Sequence, residues 1–173
     1  MRKVKLEPEF FTSPMKSPVG VLRLYATKKA LIAVYMEKSK RSPLKRVLKN
    51  ALVQETKLLT KTKQQLADYF AGKRKKFTIP TELRGTEFQK SVWHSLMEIK
   101  SGELRSYGEH AASISKLKAV RAVGSAIGSN PISIIIPCQR VVGSDGSLAG
   151  YAGGLKAKEL LLKLEGHDTF LSK

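Results

Sequence analysis

The residue best suited to covalent chemistry is Cys138, the single cysteine among 173 residues. A cysteine acts as a nucleophile in its thiolate form, which a nearby cation favours. Arg140 lies two positions further along the chain and could supply that cation. The apolar run at residues 132–136 would have the opposite effect, because burial favours the neutral thiol. The residues around Cys138 therefore leave open whether it is a nucleophile or a small buried core residue.

The remaining residue types do not indicate metal or cofactor chemistry. His94, His110 and His167 show no short ligand spacing with one another or with Cys138, so no metal site is predicted. No cofactor is expected either. A hydrolase that pairs a cysteine with a histidine is disfavoured, because His94 and His110 fit ordinary positions of predicted helices. A single cysteine excludes a disulfide within the chain and is typical of a reducing compartment.

The charge of the chain favours a polyanionic partner, of which nucleic acid is the usual one. Residues 1–80 hold 20 Lys and Arg against 5 Asp and Glu, which makes +15 of the formal net charge of +18. This excess could attract DNA at long range or form a solvated basic face without a specific role. No apolar stretch approaches the roughly 18 to 20 residues that span a bilayer, and the N-terminus lacks the apolar core of a secretory signal. We expect no membrane partner and a cytoplasmic location, or a nuclear one in a eukaryote.

The elements that must position Cys138 can be predicted from the spacing of apolar residues. In the first half, residues 19–25 and 30–35 predict two strands joined by a hairpin turn. Residues 38–50 predict a loop, and helical spacing over residues 52–71 predicts a helix that stops at Gly72. Residues 77–80 predict a linker, after which the composition gains Gly, Ala and Ser.

The second half predicts helices. Thr86 caps the first of them, and Ser106 precedes a short helix at residues 107–114 that a second helix follows at residues 118–127, which suggests a helix-turn-helix. This second helix carries mostly small side chains, with Arg121 projecting from its middle. Such a surface is typical either of tight helix packing or of close entry into a DNA minor groove, which is roughly 6 Å wide.

Several segments of the chain together match one known protein family. They are Gly85-Thr-Glu-Phe-Gln-Lys-Ser-Val-Trp, Ser106-Tyr-Gly, Ala119-Val-Arg-Ala-Val-Gly, Asn130-Pro, Pro137-Cys-Gln-Arg-Val, Gly150-Tyr-Ala-Gly-Gly and Leu164-Glu-Gly. In order and spacing they resemble the O6-alkylguanine-DNA alkyltransferases, whose acceptor motif is Pro-Cys-His-Arg-Val. The resemblance covers about residues 85–166, and a weaker likeness at Gln65-Leu-Ala-Asp-Tyr-Phe-Ala-Gly extends it into the first half.

The resemblance implies a role for each matching residue. Around Cys138 as the alkyl acceptor, the implied catalytic residues are Gln139, Glu165 as the carboxylate behind it, Tyr107 as the residue that pushes the nucleotide out, and Asn130 as the hinge. The implied DNA-contacting residues are Arg121, which fills the place of the displaced base, together with Tyr107, Ala122, Gly124, Ser125 and Arg140. The implied pocket residues are Tyr151 near the ring nitrogen, the main chain of Cys138 and Val141 at the guanine edge, and Ala152 and Gly153 on the O6 side.

The implied reaction is a direct repair that each molecule performs once. O6-alkylguanine is flipped out of duplex DNA through the minor groove, at a cost of about a few kcal/mol. The thiolate then displaces guanine from the alkyl carbon and forms a stable thioether, which the chain has no means of removing. The expected partner is double-stranded DNA that carries O6-alkylguanine, and the protein is expected to act as a monomer.

Position 139 departs from the family, because this chain has Gln where the family has His. An amide cannot accept the proton of the thiol at neutral pH, and losing a general base slows a reaction on the order of 100- to 10,000-fold. Two hypotheses follow from Gln139. Cys138 could still accept alkyl groups at a reduced rate, or the protein could be a binding module that recognises O6-alkylguanine and reacts rarely. The family's non-transferring relatives lack the cysteine itself, so its presence favours transfer.

The predicted architecture has two domains. Residues 1–78 form an α/β N-terminal domain with a small antiparallel sheet and a helix. Residues 79–173 form a mainly α C-terminal domain that holds the helix-turn-helix and the acceptor cysteine.

Overall fold

The first half of the chain forms a small sheet. The structure, a computed structural model, describes residues 9–39, 44 and 46–169, so part of the predicted loop, residues 40–43 and 45, lies outside it. The strands are β1 (Phe11–Ser17), β2 (Gly20–Ala26), β3 (Leu31–Met36) and β4 (Leu52–Val53), in the order β3-β2-β1-β4. The two predicted strands are confirmed as β2 and β3. The sheet is mixed rather than purely antiparallel, because β4 runs parallel to β1.

Two elements of this half differ from the sequence prediction. Strand β1 was missed, because Pro14 and several polar residues interrupt its apolar pattern; it is held by pairing with β2 along its whole length. Helix α1 (Lys57–Phe70) begins five residues later than predicted. Thr56 caps it by accepting a hydrogen bond from the main-chain N–H of Leu59, and the residues before Thr56 pair with β1 instead.

The second half contains α2 (Glu87–Leu96), α3 (Tyr107–Ser113), α4 (Val120–Gly128) and α5 (Leu155–Leu164), with a two-strand ladder of β5 (Arg105–Ser106) and β6 (Val141–Val142). Thr86 and Ser106 each form a capping box, with Gln89 and Glu109 respectively, so both predicted helix starts are confirmed. A 3₁₀ turn at Leu117–Ala119 joins α3 to α4. This pair of helices is consistent with the predicted helix-turn-helix.

The two halves share one hydrophobic core. Leu22 and Leu24 of the sheet belong to the same buried cluster as Trp93 of α2 and Leu161 of α5. The predicted linker is fixed in place, since the carbonyl of Pro80 accepts a hydrogen bond from the N–H of Leu31. Among the described residues, one buried cluster extends across the predicted domain boundary near residue 78. The boundary therefore stays a prediction.

The apolar run at residues 132–136 is extended core rather than a strand. Its start is tied to the sheet, because the N–H of Val34 donates to the carbonyl of Pro131 at 2.9 Å and the N–H of Ser133 donates to the carbonyl of Val34. Ile134 has a φ of 74°, an unusual angle for a β-branched residue. The chain turns back at this point, where the N–H of Ile136 donates to the carbonyl of Ile132, and Cys138 then lines the same cavity as residues of α4.

Candidate active site and nucleic-acid interface

Cys138 lies on the wall of a small cavity and is 6% exposed. It begins a 3₁₀ turn (Cys138–Arg140) directly after Pro137. The cavity has a volume of about 60 Å³. Its wall combines α3, α4, the acceptor segment and the loop before α5, and the residues are Tyr107, Gly124, Ile127, Gly128, Asn130, Ser133, Cys138, Gly150, Tyr151 and Ala152. The structure thus brings together predicted residues that lie up to 45 positions apart in the chain.

Asn130 fixes the segment that carries the cysteine. Its side-chain amide donates to the carbonyl of Ile136 at 2.8 Å, and its side-chain oxygen accepts from the N–H of Ile132 at 3.0 Å. Both bonds are buried, so they hold the two ends of the apolar run together with little competition from water. Asn130 therefore connects the end of α4 to Cys138, which is the position predicted for a hinge.

The environment of the thiol favours its neutral form. Burial raises the pKa of Cys138, and a hydrogen bond from Asn130 and the positive charge of Lys158 lower it in part. Arg140 does not contribute to this balance. Its guanidinium donates to Glu165 and to the carbonyl of Ile99, and Arg140 is not among the groups that lower the pKa of the thiol. The Arg140 side chain is 7% exposed, and its contact with DNA stays a prediction.

A buried carboxylate organises the residues next to the cysteine. Glu165 lies at the end of α5 with its side chain 1% exposed. It accepts hydrogen bonds from the Arg140 guanidinium at 2.8 and 3.0 Å and from the Gln139 amide at 3.1 Å. The amide oxygen of Gln139 is buried and has no hydrogen-bond partner among the described residues. Gln139 thus donates to Glu165 and leaves its acceptor atom unused, and no group at this position can take up a proton.

Lys158 is a site residue that the sequence analysis missed. Its side chain is fully buried, and its ammonium donates to the carbonyls of Val141, Ala149 and Gly150. Burial lowers its pKa from 10.5 to about 8. Lysine is rarely buried without such partners, so the residue type by itself argued against an interior position. The sequence signal was its place one helical turn before Leu161 and Leu162 on the apolar side of α5.

Two tyrosines flank the cavity. The hydroxyl of Tyr107, at the first position of α3, donates to the carbonyl of Ala149 at 2.9 Å. Tyr151 is half-buried, and its hydroxyl is buried without a hydrogen-bond partner among the described residues. Burial raises the pKa of Tyr151 well above its usual value, so its hydroxyl remains a proton donor. Tyr151 lines the same cavity as Cys138, and its hydroxyl could donate a hydrogen bond to a polar group bound there.

The loop before α5 rests against the N-terminal sheet. The carbonyl of Ala152 accepts a hydrogen bond from the Ser39 hydroxyl at 2.9 Å. A Cβ at Gly153 would overlap the sulfur of Met36, so a larger residue there would require the Met36 side chain to move. The predicted pocket residues Ala152 and Gly153 are therefore held partly by the other half of the protein. Val141 is fully buried, and its carbonyl binds Lys158.

Helix α4 packs against the core on one side and exposes mostly small residues on the other. Val123, Ala126 and Ile127 are buried against the core. Arg121, Ala122 and Ser125 are exposed on the opposite side, and Gly124 lies under the Tyr107 ring, where a Cβ would be 3.6 Å from the ring. The exposed side is smooth apart from one arginine. Contact of these residues with DNA stays a prediction.

Known proteins match both halves of the chain. The DNA-binding domain model of 6-O-methylguanine DNA methyltransferase matches residues 87–167, and the ribonuclease-like domain model of the same protein matches residues 11–83. A methylated-DNA--protein-cysteine methyltransferase from Methanosarcina acetivorans is 46% identical over 87% of this chain and 95% of its own. The inducible protein of that name from Bacillus subtilis is 49% identical over 70% of this chain and 68% of its own. The chain belongs to the 6-O-methylguanine DNA methyltransferase family.

Solved structures of this family share the fold. The O6-methylguanine methyltransferase of Mycobacterium tuberculosis superposes with a TM-score of 0.80 and 40% identity, over 90% of this chain and 92% of that one. The OGT protein of the same organism, solved in complex with DNA, gives a TM-score of 0.79 at 40% identity, over 90% and 91% of the two chains. The predicted family and the predicted fold class are confirmed.

The described residues contain neither a metal-binding cluster nor a membrane-spanning helix. No group of three or more His, Cys, Asp or Glu side chains there could hold a metal ion. No helix in that part of this family member is both long and apolar enough to cross a membrane.

Proposed function

We propose that this member of the methyltransferase family repairs DNA by moving the alkyl group of O6-alkylguanine irreversibly to Cys138, once per molecule. The observation that carries the proposal is the position of the thiol, on the wall of a cavity that also touches Tyr107, Gly124 and Tyr151. A base that leaves the duplex beside α4 would enter this cavity. All the proposed site residues come from one chain, so a monomer suffices.

The cavity must widen to receive a base. Its volume of about 60 Å³ is far below the roughly 300 Å³ of the smaller ligand pockets in proteins. Gly150 and Gly154 bound the loop that forms one wall, and both have positive φ angles, of 49° and 89°. These glycines allow backbone changes that other residues resist, so we place the opening movement in the loop between them.

The proposed transfer is a displacement at the alkyl carbon. The thiol loses its proton to water, its sulfur forms a bond to that carbon, and the bond from the carbon to O6 breaks with both electrons going to guanine, which takes up a proton from water. Tyr151, with its unused hydroxyl, is placed to stabilise the charge on the departing base. The substrate supplies the alkyl group and the chain accepts it, so the transfer needs no cofactor.

Two features slow the proposed reaction. Burial raises the pKa of the Cys138 thiol, and Gln139 cannot remove its proton. A family member with these features could instead bind O6-alkylguanine and leave it unchanged. This second function is favoured by the neutral thiol, whereas the shared cavity wall of Cys138 and Tyr151 favours transfer.

The deciding experiment is intact-protein mass spectrometry after incubation with duplex DNA that contains O6-methylguanine, at several pH values. Transfer predicts one added methyl group, mapped to Cys138 and absent from the Cys138→Ser variant. Its rate should rise with pH, because the pKa of the thiol is raised. Tight binding without an adduct, even at high pH, would establish the binding module instead.

A parallel series with Gln139→His measures the effect of the amide. A faster reaction by about 100-fold or more at neutral pH is expected if a general base is what this chain lacks. An unchanged rate would show that proton removal does not limit transfer.

A further inference from the structure

A tyrosine from the N-terminal half reaches the carboxylate behind the cysteine. Tyr69 lies near the end of α1 and is 2% exposed. Its hydroxyl donates to Glu165 at 2.7 Å, across 96 positions of sequence. This bond joins the sheet-bearing half of the chain directly to the acceptor site.

Glu165 receives its hydrogen bonds unequally. One carboxylate oxygen, Oε2, accepts from Arg140 Nε. The other, Oε1, accepts from the Tyr69 hydroxyl, from Gln139 Nε2 and from Arg140 Nη2. Tyr69 and Gln139 therefore share one oxygen, and the Tyr69 bond is the shorter of the two. A change in the hydrogen bond from Tyr69 to Oε1 therefore also changes the hydrogen bond that Gln139, the residue next to Cys138, donates to the same oxygen.

The position of the Tyr69 hydroxyl is fixed by its surroundings. The ring packs against Phe70 and Phe77, with centroid distances of 5.5 Å to each. Burial, aided by the charge of Glu165, raises the pKa of Tyr69 far above its usual value, so the hydroxyl keeps its proton. A rigid, permanently protonated donor holds a carboxylate in one orientation and draws off part of its negative charge.

We propose that Tyr69 is a positioning residue for the acceptor site, which sets the orientation and the effective charge of Glu165 toward position 139. This inference rests on the proposed function, because it gives the N-terminal half a part in preparing Cys138 for transfer. Tyr69→Phe removes only the hydroxyl and keeps the packed ring. Without it, Glu165 becomes a stronger acceptor for its remaining donors, Gln139 and Arg140.

The test introduces a titratable side chain at position 139. In the Gln139→His background, NMR titration measures the pKa of the introduced imidazole with and without Tyr69→Phe. We expect the proton-binding constant of the imidazole to rise by about threefold to tenfold, because a carboxylate with one donor fewer attracts the imidazolium more strongly. The groups that face this position are Glu165, Arg140, Tyr69, Tyr151 and Cys138. Tyr25→Phe in the same background is the matched control, because Tyr25 packs on Tyr35 in a separate cluster.

A second change at position 69 keeps the proposal testable even if the Tyr69→Phe variant misfolds. Incorporation of 3,5-difluorotyrosine at position 69 keeps the hydroxyl and makes it a stronger donor, so the imidazole pKa should fall instead of rising. Equal imidazole pKa values in the parent, the labelled protein and a folded Tyr69→Phe variant would overturn the proposal. The rate at which Cys138 reacts with iodoacetamide, measured as a function of pH, is a further readout that needs no guanine substrate. If the imidazole pKa moves but no variant accepts methyl from DNA, positioning by Tyr69 stands and the proposed function fails.

Discussion

At the scale of single residues, the reactivity of Cys138 depends on opposing influences from its neighbours. Burial favours the thiol, while Asn130 and the charge of Lys158 favour the thiolate. The Lys158 ammonium also donates hydrogen bonds to the carbonyls of Val141 and Gly150, which hold it in place. With Gln139 unable to act as a base, the thiolate is supported by the Asn130 hydrogen bond and, after it, by the charge of Lys158. The cysteine therefore depends on a residue outside the acceptor motif.

Replacement of Lys158 by Met should slow the reaction of Cys138 with iodoacetamide by about 3- to 30-fold at neutral pH, as expected for the loss of one nearby charge. The pKa of Lys158 is about 8, so the lysine is mostly charged below that pH and loses its charge above it. The difference between the two proteins should therefore be largest below pH 8 and shrink as the pH rises. Equal rates at neutral pH would show that Lys158 has no electrostatic role.

Lys163→Met is the matched control for this measurement. Lys163 lies on the same helix, is 51% exposed and pairs with Glu159 on the surface. Its replacement should leave the rate unchanged. Thermal unfolding of both variants separates a loss of charge at the thiol from a loss of fold.

At the scale of elements, α3, α4 and the turn between them form the surface beside the cavity. The capping box of Ser106 and Glu109 fixes the start of α3, and this places Tyr107 at the cavity wall. Gly124 allows α4 to lie close to the Tyr107 ring. Arg121 is then the long side chain that extends from the exposed side of α4. This arrangement fits a helix that enters a groove and leaves one cation to replace a displaced base.

Arg121→Ala should reduce methyl transfer from duplex DNA by about 10- to 100-fold, because stacking and charge that offset the few kcal/mol of base flipping are lost. Reaction with the free base O6-benzylguanine, which needs no flipping, should change less than threefold. Both rates can be followed by mass spectrometry of Cys138. Lys118→Ala, which removes an exposed cation from the neighbouring turn, is the control. Equal losses on duplex and free base would assign Arg121 to folding instead of flipping.

At the scale of the whole molecule, the charge and the proposed site lie in different halves. Most of the net charge of +18 belongs to residues 1–80, whereas Cys138, Arg121 and Tyr151 belong to the second half. The shared core joins these halves into one packed unit, so the basic half can attract DNA while the helical half presents the site. Attraction of this kind acts on phosphates and carries no base sequence.

Binding to undamaged duplex DNA should accordingly weaken by about 10- to 1,000-fold between roughly 50 and 200 mM salt, with little difference among base sequences. Fluorescence anisotropy with labelled duplexes of unrelated sequence measures both properties. An affinity that stays constant over this salt range would refute the electrostatic attraction and leave the basic half as a solvated surface.

The sequence by itself determined the family and most of the elements, and it singled out Cys138 as the proposed acceptor. Motifs identify Cys138, Tyr107 and Arg121 because each residue type stands at a fixed offset from others in a local pattern. Helix caps at Thr86 and Ser106 were predictable for the same reason, since capping acts over three or four residues.

The tertiary structure alone decided the direction in which side chains point and the partners they find over long distances. Arg140 belongs to the acceptor motif, yet it faces Glu165, and Lys158 enters the core to bind carbonyls. Tyr69 meets Glu165 from the other half of the chain. These contacts form only when separate elements pack together, so no local pattern contains them. Cys138 could be found from its neighbours in sequence, but its protonation is set by its neighbours in space.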